Sequence, residues 1–269
     1  MSQTFNILFI ADVVGKPGQE AVSSFIDELK RDHDINFTIV NGENAASGKG
    51  LSRRIANEFF DMGIDVITSG NHIWNRDKFY PQLDEYDQML RPLNYPLACP
   101  GHGSVIINKN QTRVGVINLQ GRSFMFPIRC PFKAAEAEIK HLKSQGAKII
   151  FIDFHAEATA EKRALGWHLD GQISALVGTH THVQTADESV SLQGTAYITD
   201  AGMTGPFDSV IGMDKQVAIQ RFLTQMPVSY RMATEDIRLN GVVVSVDAAT
   251  GRAVKIQRIE KKMDPDFTV

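Results

Sequence analysis

The sequence predicts an α/β fold with two stacked sheets, and three patterns support this prediction. Short apolar runs alternate with amphipathic helices, which is typical of strands joined by helical crossovers. Two other segments alternate around a turn, as antiparallel hairpins do. Polar residues follow several apolar runs, at the strand ends where open parallel sheets bind ligands. The 269 residues are within reach of one hydrophobic core, so we expect 1–269 to form a single domain.

The first half of the chain contains three predicted strands, at 6–11, 37–40 and 66–68. A helix is predicted after the first strand, with apolar side chains at i, i+3, i+4 and i+7: Val22, Phe25, Ile26 and Leu29. Ser52 is the predicted N-cap of the next helix, and Gly63 is predicted to end it. Residues 15–18 (GKPG) are interpreted as a turn into the first helix, with contact to a substrate phosphate as the alternative.

The second half continues this alternation and adds the hairpins. A helix is predicted from the stripe Phe132, Ala135, Ile139 and Leu142, and it ends at Gly146. Further strands are predicted at 148–154, 173–177 and 196–199. The hairpins pair 105–108 with 113–119 and 241–246 with 252–259. Residues 91–103 contain three prolines, so we expect a rigid surface loop there.

The composition excludes several classes of protein. With 28 Lys and Arg against 31 Asp and Glu, the chain lacks the basic footprint of a general nucleic-acid binder. No apolar run approaches the roughly 18 residues that cross a bilayer, and the first residues do not read as a signal peptide. The two cysteines do not form a disulfide framework in a chain of this length. We therefore expect a cytoplasmic globular protein without a membrane partner.

Polar clusters follow five of the predicted strands. They comprise Asp12; Asn41, Glu43 and Asn44; Asn71 and His72; His155; and His180 and His182. Because the carboxyl ends of parallel strands meet in one crevice, we expect these side chains to converge. Carboxylate, amide and imidazole ligands suit divalent metals bound through nitrogen and oxygen. A carboxylate can bridge two cations, so the set is large enough for a binuclear centre.

Each of these residues alone has an ordinary structural explanation. Asp12 could cap a helix, Asn71 could satisfy loop backbone groups, and His155 could be a hydrogen-bonded, semi-buried ring. His180 and His182 are a stronger signal, because an extended backbone would direct both rings to the same side. The occurrence of such residues at five strand ends favours a shared site.

Three nearby features leave alternatives open or are set aside. Residues 48–50 (GKG) lack the other positions of a Walker A loop, since Glu43 and Gly50 replace its glycine and its Ser or Thr. Glu157 could support a ligand or cap the following helix. Asp200 could orient a ligand histidine or form a turn.

The motifs, taken in order, resemble those of calcineurin-like metallophosphoesterases. They are Asp12, NGEN at 41–44, GNH at 70–72, His155 and GTHTH at 178–182. The stretches ADVVGKPG, NGENAASGKG, GNHIWN, RPLNYP, VGTHTHVQTAD and TDAGMTGP are similar to the YmdB-type branch, over nearly the whole chain. The wider superfamily has Asp-x-His and GDxxD where this chain has Asp12-Val-Val and Asn-Gly-Glu43-Asn44. In the branch that the chain resembles, Asn44 compensates for the lost histidine.

The resemblance implies a four-layer α/β/β/α sandwich with mixed sheets and a centre of two divalent transition-metal ions. Iron or manganese is expected, and zinc is an alternative. One ion would be held by Asp12, Glu43, Asn44 and His182, and the other by Glu43, Asn71, His155 and His180, with Glu43 bridging. His72 would be the general acid.

The implied activity is hydrolysis of phosphodiesters, notably 2′,3′-cyclic nucleotides. A hydroxide between the two ions would attack phosphorus, and His72 would protonate the leaving alkoxide. A phosphomonoesterase or a metal-dependent nuclease is the alternative among enzymes, and a metal-containing regulatory or scaffold protein is the alternative outside them. A small phosphodiester such as a cyclic nucleotide is the expected partner, with RNA and a homo-oligomer left open.

Overall fold

In the computed structural model, which describes residues 4–264, two β-sheets pack face to face and helices cover the outer face of each. The strands are β1 (Thr4–Ile10), β2 (Asp12–Val13), β3 (Ile35–Asn41), β4 (Val66–Thr68), β5 (Ser104–Lys109), β6 (Thr112–Gln120), β7 (Ile149–His155), β8 (Ala175–Thr179), β9 (Ser189–Val190), β10 (Ala196–Ile198), β11 (Met203–Pro206), β12 (Ile237–Asp247) and β13 (Ala253–Lys262). The helices are α1 (Gly15–Asp32), α2 (Arg53–Asp61), α3 (Pro131–Ser144), α4 (Thr159–His168) and α5 (Lys215–Thr224), with 3₁₀ turns at Asn71–Asn75 and Tyr80–Glu85.

Both sheets are mixed. Within residues 4–264, the first has the order β2-β11-β12-β1-β3-β4 with β13 paired to β12, and the second has the order β5-β6-β7-β8-β10-β9. The parallel pairs β1–β3, β3–β4, β6–β7, β7–β8 and β8–β10 bring several strand ends to one edge of the molecule. The two predicted hairpins are confirmed as the antiparallel pairs β5–β6 and β12–β13.

The main core lies between the sheets, where the ring centroids of Phe9 and Phe151 are 5.4 Å apart. Apolar side chains of α1 and α2 pack on the outer face of the first sheet, and those of α3 and α4 pack on the outer face of the second. Strands buried on both faces explain the continuous apolar runs in the sequence. The four-layer α/β/β/α arrangement expected from the resemblance is confirmed.

Local predictions hold for α2 but not for the start of α1. Ser52 Oγ accepts a hydrogen bond from the Ile55 amide at the start of α2, and Gly63 follows its end with φ +72°. Residues 15–18 are not a turn before the helix, because α1 begins at Gly15. Proline is tolerated in a first helical turn. At Gly18 a Cβ would lie 2.4 Å from the Thr204 carbonyl oxygen, so the helix starts against β11.

Other parts of the fold differ from the expectations. The prediction of a surface loop at 91–103 is wrong in part. Arg91 and Asn94 are buried, and Asn94 Nδ2 donates a hydrogen bond to the Gln120 carbonyl oxygen. Helix α4 was expected only as the helix that follows Glu157, without bounds, and helix α5 was not predicted. In α5 Ala218 is the buried residue and several apolar side chains are exposed, so no one-sided apolar stripe marks it. None of the helices in the described part of the chain is long and apolar enough to cross a membrane.

Candidate metal centre

The predicted site residues converge at the ends of β1, β3, β4, β7 and β8, with Asp12 two residues after β1. Their positions are Asp12 in β2, Glu43 and Asn44 after β3, Asn71 and His72 in the 3₁₀ turn after β4, His155 at the end of β7, and His180 and His182 after β8. The first three groups come from the first sheet and the histidines of β7 and β8 from the second. The structure thus brings together all the residues predicted from strand ends.

Glu43 lies at the middle of this cluster and is buried. Its Oε1 is 3.0 Å from His155 Nε2 and accepts a hydrogen bond from Asn44 Nδ2 at 3.0 Å. Its Oε2 accepts from the His72 amide at 3.1 Å. Oε1 therefore contacts one residue of each predicted ligand set, His155 and Asn44, whereas Oε2 is held by the backbone of His72.

One set of donor atoms surrounds His155 Nε2. Asn71 Oδ1 lies 3.2 Å from it and His180 Nδ1 lies 3.0 Å from it. Glu43, His155 and His180 each offer a ligand atom within 4.8 Å of the others. Three potential ligands this close satisfy the basic geometric requirement of a metal site.

A second set surrounds Asp12, which is fully buried. Its Oδ2 accepts from the His180 amide at 2.9 Å and lies 3.3 Å from His182 Nε2. Asn44 Nδ2 is 3.2 Å from the same His182 nitrogen. Among residues 4–264, Asp12 Oδ1 has no hydrogen-bond partner. A buried carboxylate oxygen without a partner is costly, and a cation would satisfy it.

The donor set therefore fits divalent transition metals. Carboxylate and amide oxygens with neutral imidazole nitrogens suit iron, manganese or zinc, and neither cysteine belongs to the cluster. The orphan oxygen of Asp12 and the close donor atoms around His155 Nε2 are the features that a bound cation would satisfy.

Gly70 leaves the space that His155 and Glu43 occupy. A Cβ on this residue would lie 2.2 Å from His155 Cδ2 and 2.4 Å from Glu43 Oε2. Any side chain here would displace the two central residues, so the GNH motif needs glycine because of close approach.

The backbone at His180 and His182 is not extended, contrary to the geometry considered from the sequence. Their φ angles are +100° and +63°, so both residues occupy a left-handed region that is unusual for non-glycine residues. The two rings still face the cluster, but His180 contacts His155 whereas His182 contacts Asn44. Strained backbone of this kind persists when the surroundings fix it.

A buried ion pair fixes that loop. Lys162 Nζ donates to Asp200 Oδ2 and to the Thr179 carbonyl oxygen, both at 2.8 Å. Asp200 Oδ2 also accepts from the amide and hydroxyl of Thr181, the residue between the two histidines. Asp200 therefore holds the loop backbone and contacts neither ring. Glu157 Oε2 lies 3.2 Å from His180 Nε2, so it meets a predicted ligand instead of capping α4.

A buried relay behind His155 was not found from the sequence. His155 Nδ1 lies 3.0 Å from Thr179 Oγ1, which donates to Asp153 Oδ1 at 2.7 Å. Asp153 Oδ2 accepts from Asn41 Nδ2 at 2.8 Å and from Thr68 Oγ1 at 2.5 Å. The relay connects both sheets and orients the His155 ring. The polar Asp153 within the apolar run KIIFIDF was the available signal.

The electrostatics assign a proton to His155. Burial opposes its charge, but the Glu43 carboxylate raises the pKa of His155 to about 9. Burial and the neighbouring His155 lower the pKa of His180 to about 3. Burial also raises the pKa of Asp153 to about 7. Without a cation, His155 therefore carries the proton between the two rings and His180 stays neutral.

His72 differs from the other members because its ring is hydrogen-bonded to Asn75, and only its backbone amide is bonded to the cluster, at Glu43. Its Nδ1 is 2.9 Å from Asn75 Oδ1 in the same 3₁₀ turn, and the ring is partly exposed. If Nδ1–H donates to Asn75, Nε2 is the atom free to exchange a proton with a substrate. Asn75 thus holds the His72 ring through Nδ1, a contact that sequence reasoning missed.

Comparison with known proteins gives the family. A profile of the family described as YmdB-like protein matches residues 8–259. The chain is also 49% identical over 253 residues to the 2′,3′-cyclic-nucleotide 2′-phosphodiesterase of Bacillus subtilis (strain 168), covering 94% of this chain and 96% of that protein.

The chain belongs to the YmdB-like family. Solved structures agree with this assignment. A phosphatase of Mycoplasma pneumoniae has a TM-score of 0.91 at 33% identity, with 98% of this chain and 96% of that chain covered. A hypothetical protein of Thermus thermophilus has a TM-score of 0.90 at 36% identity, with 97% of this chain and 100% of that chain covered. The resemblance inferred from the motifs is confirmed.

Two cavities reach the centre of this YmdB-like protein. The larger is a cleft of about 510 Å³, lined by His72, His180 and His182 on one side and by α5 on the other. The smaller is a cavity of about 390 Å³ beside Asn71 and His180, and residues 124–127 form its outer wall. His72 lines the cleft and not the smaller cavity, so a group that receives its proton would lie in the cleft.

Proposed function

We propose that this protein is a metal-dependent phosphodiesterase that hydrolyses 2′,3′-cyclic nucleotides. The observation that carries the proposal is the buried Asp12 Oδ1, which lacks a partner among residues 4–264 beside a cluster of carboxylate, amide and imidazole ligands. The substrate class is supported by the Bacillus subtilis relative, which is named for that activity and shares 49% identity. In this proposal 1–269 functions as one domain, because both sheets contribute ligands.

Two divalent transition-metal ions would be held, with iron or manganese favoured and zinc as the alternative. Asp12, Glu43, Asn44 and His182 would hold one, and Glu43, Asn71, His155 and His180 the other. When bound, such ions polarise phosphoryl oxygens and generate a nucleophile from water near neutral pH.

The protein's own groups perform the remaining tasks. Glu43 balances positive charge at the centre of the site, and the Asp153 relay keeps His155 oriented. The loop anchored by Asp200 fixes His180 and His182 relative to Asp12. Such fixed polar groups stabilise developing charge without reorganising during the reaction.

His72 would donate the proton to the departing 2′ oxygen. The ring lines the cleft, and Asn75 holds its Nδ1, so Nε2 can address a leaving group. A general acid contributes about 10²–10⁴-fold to the rate. An alkoxide is a poor leaving group, so this contribution matters for a phosphodiester of ribose.

Phosphomonoesterase activity is the second candidate, favoured by the Mycoplasma pneumoniae structure that is described as a phosphatase. The cleft extends well beyond the predicted ligands along an apolar wall that includes Ile211, Met213 and Phe222, which suits the nucleoside of a cyclic diester and of a nucleoside monophosphate alike. The cyclic diester is preferred because the Bacillus subtilis relative is named for that activity.

The deciding experiment combines metal analysis with a substrate panel. Protein purified and loaded with Mn²⁺ or Fe²⁺ is analysed for metal content and tested on 2′,3′-cyclic nucleotides, nucleoside monophosphates and single-stranded RNA. We expect two ions per chain and the highest kcat/KM on the cyclic diesters. Tight metal binding without turnover of any phosphoester would instead indicate a regulatory or scaffold protein.

A further inference from the structure

A second cavity of about 510 Å³ adjoins the cleft and shares a wall with it. The shared wall consists of Lys49, Met213, Arg221, Gln225 and Tyr230. Together the two cavities form a groove that starts at His72 and His182 and ends at 226–228. A pocket for a drug-sized ligand occupies about 300–1,000 Å³, so the cleft alone can take one nucleotide. With a mononucleotide in the cleft, the second cavity stays free for a further part of a longer substrate.

The charge along the groove suits a phosphodiester at the junction of the cavities. Lys49 and Arg221 line both of them. Within the part of the chain that the structure describes, no carboxylate lines the second cavity, and Glu43 is the one that lines the cleft. Guanidinium and ammonium groups are the side chains that bind phosphate oxygens.

The position of Lys49 is fixed by the loop that contains it. Arg76 Nε donates to the Lys49 carbonyl oxygen at 3.0 Å, and the same guanidinium donates to the carbonyl oxygen of Ala46. Gly48 has φ +85°, and a Cβ on it would lie 2.7 Å from the Tyr230 ring. The GKG segment, rejected as a Walker A loop, thus presents a lysine beside an aromatic ring that packs on glycine.

Tyr230 supplies the other element that a nucleic-acid strand needs. Its ring lines both cavities. Aromatic side chains stack with unpaired bases, and single strands are bound by such rings together with cationic side chains. The junction of the cavities therefore offers two phosphate-binding groups and a stacking surface.

We infer that the groove binds the 3′ end of an RNA strand that terminates in a 2′,3′-cyclic phosphate, an inference that rests on the proposed function. In such a strand the cyclic phosphate engages both the 2′ and 3′ oxygens, so the chain continues only through the 5′ oxygen. The terminal nucleotide lies in the cleft with its cyclic phosphate at the ligands. The preceding phosphodiester lies at Lys49 and Arg221, and the preceding base lies in the second cavity against Tyr230.

The reaction consumes one water. A new P–O bond forms from the water oxygen, and the P–O2′ bond breaks. The 2′ oxygen takes a proton from His72. The proton that the water loses then reprotonates His72. The strand keeps a 3′-phosphate. The cavity beside Asn71 does not serve this purpose, because neither His72 nor any lysine or arginine of the described chain lines it.

The test compares adenosine 2′,3′-cyclic phosphate with the dinucleotide ApA that carries a 2′,3′-cyclic phosphate, using the Mn²⁺-loaded protein. We expect kcat/KM to be at least about tenfold higher for the dinucleotide, in line with one additional stacked base. Lys49→Ala and Arg221→Ala should each remove most of that advantage while lowering mononucleotide turnover much less. Lys215→Ala is the matched control, because this exposed lysine lies on α5 outside both cavities.

A second readout does not depend on turnover. The product dinucleotide ApA 3′-phosphate should bind about tenfold more tightly than adenosine 3′-phosphate, and Tyr230→Ala should weaken the dinucleotide selectively. Equal kcat/KM for the two cyclic substrates, or a ratio unchanged in Lys49→Ala and Arg221→Ala, would overturn the inference and leave the proposed function standing. If neither cyclic substrate is hydrolysed, the proposed function fails as well.

Discussion

Glu43 and His155 belong to different sheets, yet Glu43 Oε1 and His155 Nε2 lie 3.0 Å apart in the protein interior. Glu43 follows β3 of the first sheet and His155 ends β7 of the second. The contact exists only when the sheets are packed on each other. The integrity of the candidate centre and the docking of the two sheets are therefore coupled.

Glu43→Gln should remove metal and activity together. The amide keeps the shape of the side chain but loses the charge that would offset two cations. The loss in turnover should therefore exceed roughly 10–100-fold, which is the usual cost of removing a residue that only hydrogen-bonds to a metal ligand. Metal content and kcat on a 2′,3′-cyclic nucleotide measure this, with the exposed Glu58→Gln as the control. A variant that retains both ions and near-native turnover would contradict the bridging role.

His72→Ala should separate metal binding from chemistry. Its ring is hydrogen-bonded to Asn75 and is not one of the predicted ligands, so both ions should stay bound. Turnover of diesters with an alkoxide leaving group should fall about 10²–10⁴-fold, whereas a nitrophenyl phosphodiester should be affected much less. Asn75→Ala should show the same dependence on the leaving group with a smaller loss. Equal losses on both substrates would assign His72 to positioning.

Thr179→Val should weaken metal binding without changing the volume of the side chain. The variant breaks the relay between Asp153 and His155. Metal affinity should fall about 10–100-fold, because the ring is no longer oriented. Competition with a fluorescent chelator gives the affinity, and Thr234→Val on the surface is the control. Unchanged affinity would mean that the relay has no influence on the ligand.

Lys162→Met should destabilise the fold, because it leaves Asp200 buried and unpaired. Removing one partner of a buried ion pair lowers the free energy of unfolding by about 3–5 kcal/mol, which denaturant titration would detect. Adding Asp200→Asn should recover part of the stability but not the activity, since the loop carrying His180 and His182 stays poorly anchored. Lys215→Met on the surface is the control. A single variant of native stability would show that the pair is dispensable.

Metal binding should release a proton and become tighter as pH rises. Glu43 raises the pKa of His155 to about 9 despite its burial, so at pH 7 the metal-free ring is protonated and must lose a proton to become a ligand. Below that pKa, affinity should rise about tenfold per pH unit for each proton displaced. Calorimetry in buffers of different ionisation enthalpy counts the protons. No release at pH 7 would contradict a protonated His155 in the metal-free protein.

The sequence predicted that the polar residues of the candidate centre would cluster, because they stand where strands end. Short apolar runs mark the strands, and parallel strands place Asp12, Glu43 and His155 at one edge whatever the lengths of the intervening loops. The orientation of the side chains was harder to predict from the sequence. The positive φ of His180 results from contacts with Asp12 and with residues anchored by Asp200, which are distant in sequence.

Supporting residues were missed for the same physical reason. Lys162 looks like a surface residue of a helix, because only the tertiary fold buries it beside Asp200. The wall formed by α5 was missed because much of its apolar surface faces outward, which hides the usual helical periodicity.

Strand order in the first sheet also bears on when the centre can form during synthesis. Asp12 emerges from the ribosome early, but β2 pairs with β11, and β1 is flanked on one side by β12, which ends at Asp247. Its carboxylate has no fixed surroundings until most of the chain has been translated. In the proposed function, cation capture would therefore follow the synthesis of β12, and the ion would be selected by the ligand geometry together with the metals available at that moment.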